Sequence, residues 1–185
     1  ILLEAVSKRM ETPKADLAID ESLVSRLLRE QHPDLASLDL RLVANGWDNV
    51  IYRLGDDLVV RLPRRLVAVP LVEHEQRWLP EIAERVTVEV PAPLRVGLPS
   101  DAFPWHWTIA AWFDGELASE TAFEQHGDLA IELARFVREL HTDAPSNAPR
   151  NPFRGVPLAE REPAIRDRLA TGLLPRPQEV EDVWK

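Results

Sequence analysis

Arg61 and Glu75 are the two side chains whose chemistry fits their surroundings worst. Arg61 follows Leu58, Val59 and Val60 and precedes Leu62, a run that reads as a buried strand, so its charge needs a partner wherever it is covered. Glu75 falls in the middle of a helical face formed by Leu71, Val72, Trp78, Leu79 and Ile82, while Glu73 and His74 point elsewhere. Each is out of place alone, and the two are explained together if they form a buried or half-buried ion pair. Such a pair is a structural salt bridge or a cation held in position, and an exposed Arg on an edge strand is the alternative to both.

The elements that must carry the pair follow from turn chemistry. Residues 40–62, LRLVANGWDNVIYRLGDDLVVRL, contain three apolar runs broken first at Asn45 and Gly46 and then at Gly55, Asp56 and Asp57. Both breaks allow adjacent antiparallel strands to reverse, which predicts a meander. Asp20 is placed to cap a helix with Leu23, Val24, Leu27 and Leu28 on one face, ended by Pro33, and this helix packs against the meander. Pro80 predicts that the Glu75 helix is short, kinked or restarted. Residues 94–98 and 105–113 read as two further strands, with Trp105, Trp107 and Ile109 sharing a face as core packing. Arg64 and Arg65 read as solvated unless a phosphate or carboxylate reaches them.

The words GWDNVIYRLGDDLVVRLPRR and EQRWLPEIA resemble the opening segments of the aminoglycoside phosphotransferase family, which has the protein-kinase-like fold. The resemblance implies an α+β chain: a five-stranded antiparallel N-lobe with one crossing helix, then a partial helical C-lobe. It places an N-terminal extension at 1–19, the N-lobe at 20–113, and the hinge with the partial C-lobe at 114–185. Gly46, Trp47, Asp48 and Asn49 would form the loop over the nucleotide phosphates. Arg61 would replace the commoner lysine that contacts them, and Glu75 would hold Arg61 in position. Arg for Lys exchanges a point charge for a planar fork, and phosphate contact survives that exchange. The strand running into AAWFDGE resembles the hinge, where the C=O of Ala111 and the N–H of Phe113 would meet the base edge. Without the family, Asp114 and Gly115 mark a plain strand-to-helix turn just as well.

Composition narrows the function classes. The chain has no Cys and five scattered His, which excludes disulfides and thiolate metal sites and argues against structural zinc. A net charge of -9 argues against a nucleic-acid partner and is compatible with a cationic small substrate. No run approaches the roughly 18 to 20 apolar residues of a membrane span, and residues 1–10 lack the apolar core of a signal peptide, so a cytoplasmic protein is expected. Met10 is a candidate natural start.

Further along, Thr121 and Glu124 fit a capping box ahead of a helix whose apolar face carries Leu129, Leu133, Phe136, Val137 and Leu140. His126, Gly127, Asp128 and Leu129 spell HGDL, the opening of the family's catalytic loop. The match is false by its context: the family pattern has a magnesium-binding Asn five residues after the Asp, Leu133 stands there, and a helical HGD cannot present its Asp as a base. Residues 144–157 read as a loop, 158–169 as a helix broken by Pro163, and 177–185 as the start of another. No second HGDxxxxN and no following acidic metal ligand occurs, so no catalytic and no metal-binding residue is assigned. The expectation is a fragment of an ATP-dependent (or GTP-dependent) phosphotransferase acting on a hydroxyl of a small molecule such as an aminoglycoside, with Mg2+ ligands outside these residues. The other reading is a non-catalytic nucleotide-binding or structural remnant.

Overall fold

The computed structural model describes residues 13–115, 126–149, 156–172 and 176–184. Five strands form one antiparallel sheet: β1 (Leu40–Asn45), β2 (Asn49–Leu54), β3 (Leu58–Pro63), β4 (Pro93–Gly97) and β5 (Trp107–Ala111), in the order β1-β2-β3-β5-β4. β5 inserts between β3 and β4, so the strand carrying Arg61 has neighbours on both sides. The two reversals are where turn chemistry predicts them, and Gly55 takes the left-handed conformation (φ 59°) that its turn requires.

α1 (Glu21–Gln31) covers one face of the sheet. Asp20 caps it, its carboxylate accepting from the Leu23 N–H at 2.8 Å, and Val24, Leu27 and Leu28 are buried. They meet Val50, Tyr52 and Leu54 of β2, Val60 and Leu62 of β3, and Trp107 and Ile109 of β5. That alternation is the period-two pattern of the strands made physical. β5 begins only at Trp107, so Trp105 does not share its strand face. It lies in the preceding loop and packs edge-on against buried Phe103, with ring centroids 5.5 Å apart.

α2 (Val69–Ala83) is neither short nor restarted. It runs through Pro80 to Ala83, giving up the one hydrogen bond that an N–H at position 80 would make to the Gln76 carbonyl. Its covered face is Val72, Glu75, Gln76, Leu79 and Ile82. Leu71, predicted on the apolar face, is exposed.

The chain divides into two compact units, Ile1–Asp143 and Ala144–Lys185. The first includes α3 (His126–Leu140). The Glu139 carboxylate ties this helix to the segment after α2, accepting from the Thr87 N–H at 2.7 Å and from its hydroxyl. The second holds a 3-10 turn (Leu158–Arg161) running into α4 (Glu162–Ala170), followed by α5 (Pro177–Trp184). Met10, Thr121 and Glu124 lie outside the described residues. No helix among the described residues is long and apolar enough to cross a membrane.

Candidate nucleotide site

The face of the sheet opposite α1 carries the candidate site, and strand register decides which side chains share it. Ile51, Arg61 and Thr108 stand in one row across β2, β3 and β5, and Arg53, Val59 and Ala110 stand in the next. α2 crosses beside the first row. Its Glu75 meets Arg61 in a forked contact, Nη1 to Oε2 at 3.0 Å and Nη2 to Oε1 at 3.4 Å, so the two charges that looked misplaced in sequence are partners. Their side chains are 21% and 35% exposed: half-buried, with the guanidinium still open to a ligand. Gln76, which sequence reasoning passed over, docks the same helix through its Nε2, which donates to the Thr108 hydroxyl at 3.0 Å and the Trp107 carbonyl at 2.9 Å.

The loop at 46–49 closes on itself, the Gly46 N–H donating to the Asn49 carbonyl at 2.9 Å, and Asn49 already belongs to β2, opposite Pro63. Asn49 shares the parity of Ile51 and Arg53, and its side-chain oxygen is enclosed without a hydrogen-bond partner. Arg64 and Arg65 are not solvated. Arg64 is buried with Nη1 donating to the Gly46 carbonyl at 2.8 Å, and Arg65 pairs with the Asp48 carboxylate. The carboxylate that would overturn the solvated reading comes from the loop itself.

At the other end of the face stands the segment 111–114. The Trp112 N–H donates to the Asp57 carbonyl at 2.8 Å, its indole N–H to the Asp114 carboxylate at 2.8 Å, and the Arg53 guanidinium lies 4.5 Å from its ring centroid. Arg53 also donates to the Asp56 carbonyl at 2.7 Å, which fastens the β2–β3 turn to the segment after β5. Its Nε is enclosed and unpartnered. Ala111 and Phe113 line a pocket of about 280 Å³ together with Ala83, Val86, Ala92 and Leu94. Ala111 has the parity of Ile109 and Trp107, so its side chain leaves the sheet away from Arg61, and this pocket includes neither Arg61 nor the 46–49 loop.

The geometry therefore brings Asn49, Ile51, Arg53, Val59, Arg61 and Glu75 to one face, between a glycine-containing loop and a strand exit. On this face Ile51 and Val59 alternate with Arg61 and Arg53 across neighbouring rows, and two polar atoms, Asn49 Oδ1 and Arg53 Nε, are enclosed without a hydrogen-bond partner. Among the described residues no group of three or more His, Asp or Glu is placed to hold a metal ion. The backbone of residues 126–129 is the first turn of α3, so the HGDL word lies in a helix.

A family model described as the phosphotransferase enzyme family matches residues 39–185. This chain belongs to that family. Among curated proteins nothing matches. Solved structures do: the GDP and kanamycin complex of APH(2")-IIia, at 20% identity with a TM-score of 0.62 over 80% of this chain and 56% of that one. The GDP complex of wild-type aminoglycoside 2'-phosphotransferase-IIIa is similar at 18% identity and a TM-score of 0.60, covering 83% of this chain and 50% of that one. The streptomycin-ATP-APH(2")-IIa ternary complex is similar at 18% identity and a TM-score of 0.57, covering 90% and 57%. At these identities the likeness establishes the fold, α+β and protein-kinase-like. The family member described here spans about half the length of the structures it matches.

Proposed function

We propose that these residues are the nucleotide-binding lobe, hinge and first helices of a phosphotransferase that moves the terminal phosphoryl group of ATP or GTP to a hydroxyl of a small, aminoglycoside-like molecule. The observation that carries this reading is the Arg61–Glu75 pair on the same sheet face as Asn49, where the 46–49 loop enters β2, in a chain of the phosphotransferase family. Arg61 would neutralise phosphate oxygens and Glu75 would fix its rotamer. The Gly46, Trp47, Asp48 and Asn49 backbone would border the phosphates. The Ala111 carbonyl and Phe113 N–H would meet the base edge, since the intervening Trp112 N–H is committed to Asp57. Solved structures of similar fold hold GDP or ATP, which supports a purine nucleotide.

In such a transfer the acceptor hydroxyl gives its proton to a base outside the described residues, its oxygen bonds to the terminal phosphorus as the bridging P–O bond breaks, and the nucleoside diphosphate leaves with the bridging oxygen. Residues outside the described ones would hold the magnesium ion, whose charge would offset that of the phosphates. The positive contribution of the described residues is charge and position. A second reading, nucleotide binding without transfer, is favoured by the helical placement of the single HGDL word.

Titration of the chain with ATP and with GTP, followed by amide hydrogen exchange, tests the proposal. Protection should fall on residues 46–49 and 111–113. Protection confined to residues beyond 158 would refute this map, and magnesium-dependent transfer to an aminoglycoside that vanishes in Asp128→Asn would overturn the dismissal of HGDL.

A further inference from the structure

Three of the four residues of the 46–49 loop are gripped by two side chains that the nucleotide reading leaves unused. Arg64 is 7% exposed, and it donates from Nη1 to the Gly46 carbonyl at 2.8 Å and from its main-chain N–H to the Asp48 carbonyl at 2.9 Å. Arg65 is bonded through Nη2 to the Asp48 carboxylate and approaches the Trp47 ring, 6.0 Å from its centroid. The segment that bears these arginines is itself fixed: the Asp16 N–H donates to the Arg64 carbonyl at 2.9 Å, and the Asp16 carboxylate accepts from the Leu66 N–H at 2.7 Å. The Nε atoms of both arginines are enclosed, so the two guanidinium groups are directed into the structure rather than presented whole to solvent.

We propose that Arg64 and Arg65 are positioning residues that clamp the β1–β2 loop in its binding conformation, Arg65 acting on Asp48 and not on phosphate. The proposal rests on the reading of this loop as the phosphate loop. Two physical effects give the clamp its use. A loop already ordered loses little further conformational entropy when a ligand arrives. A bare Asp48 carboxylate would repel a triphosphate, and the guanidinium paired with it cancels that charge without leaving the loop.

The opposite assignment, Arg65 as a phosphate ligand, makes a different prediction at Asp48. If Arg65 binds phosphate, Asp48→Ala frees it and nucleotide binds as well or more tightly. If Arg65 is a clamp, Asp48→Ala and Arg65→Met both weaken nucleotide binding, by about threefold to tenfold, Arg65→Met the more because it also bares the Asp48 carboxylate, and the double variant is no worse than Arg65→Met. The experiment measures ATP and GTP affinity with magnesium for wild type, both singles, the double and Arg65→Lys, alongside amide exchange of residues 46–49 without nucleotide. The clamp predicts faster exchange of the loop amides in both singles, unchanged exchange in β2 and β3, and partial rescue of affinity and exchange by Arg65→Lys. Tighter binding in Asp48→Ala, or loop exchange that is unchanged in Arg65→Met, overturns it. Should the wild-type chain bind neither nucleotide, the nucleotide reading fails while the exchange arm still decides whether the clamp exists. Arg64→Lys, which keeps a buried donor, extends the test to the second arginine.

Discussion

The sheet with α1 and the helix α3 carry equally clear sequence patterns but use them differently. In the sheet, alternating residues of β2, β3 and β5 are almost fully covered by α1: Leu54, Val60, Leu62, Trp107 and Ile109 have no exposed surface at all. In α3 an apolar stripe at helical spacing is left open, with Leu129 46% and Leu133 56% exposed. A period in the sequence therefore establishes an element's type and the side it prefers to bury, whereas only packing establishes how much stability that side contributes. The candidate site sits on the well-packed region, where strand register holds Arg61, Arg53 and Val59 to fixed positions.

Glycine substitutions expose this contrast most strongly. Gly97 pairs with Trp107 across β4 and β5, and a Cβ there would fall inside the indole ring, which is fully buried and has little room to give. Gly97→Ala should cost about 3 kcal/mol or more, at the upper end of overpacking penalties, or abolish folding. Gly127 in α3 has open space around its Cα, so Gly127→Ala should change stability by less than about 1 kcal/mol and in the favourable direction. Denaturant midpoints of the two variants make the comparison. Equal effects would mean that α3 is packed as tightly as the sheet.

Large-to-small changes sharpen the same point with a smaller effect. Leu27→Ala, beneath the sheet, should lose about 2 to 5 kcal/mol, and Leu133→Ala on the open face of α3 about 0.5 kcal/mol or less.

What was legible in the sequence follows the same division between pattern and packing. The meander was readable because Asn45-Gly46 and Gly55-Asp56-Asp57 are turn chemistry at the ends of alternating runs. The Arg61–Glu75 pair was readable because both charges violate their patterns, and a violated pattern asks for a partner. Arg64 and Arg65 gave no such signal: neighbouring arginines after a strand look solvated, and one of their partners is a main-chain carbonyl, which has no letter in the sequence. Arg53 and Gln76 were missed because their partners come from β5 and the segment after it, which become neighbours only through the insertion of β5 beside β3. Pro80 misled because it removes one N–H donor and crowds only the turn before it, a loss that does not end α2.

Next in size is the coupling of Arg61 to Glu75. At 21% and 35% side-chain exposure the pair lies between the surface and buried limits, so a double-mutant cycle of Arg61→Met and Glu75→Gln should return about 1 kcal/mol of interaction. Additive effects would show that the forked contact contributes nothing and would remove the support for a positioned Arg61.

The smallest effect separates the two regions by pH. His32 follows the last residue of α1 and sets its ring edge-on against Trp107, and burial holds its pKa below the usual histidine value; Arg95 pushes the same way, while Asp34 and a bond to the Val96 backbone push back. A histidine depressed in the folded state binds protons more readily when unfolded, so its contribution is present above about pH 6.5 and is lost as the pH falls below that value. Glu139 is different: bonds from the Thr87 N–H and hydroxyl hold its carboxyl below the usual range, so its tether survives until the pH falls through the carboxylate range. Acidification from pH 7 should therefore loosen the α1–β4 corner first and the α3 tether only later. Amide exchange of Leu98, whose N–H donates to Gln31 at 2.7 Å, and of Thr87 reads the two events separately. His32→Asn should flatten the first transition and leave the second in place. A single transition shared by both amides would mean that the corner and the tether open as one unit, and that the packing contrast between sheet and helix does not extend to their response to acid.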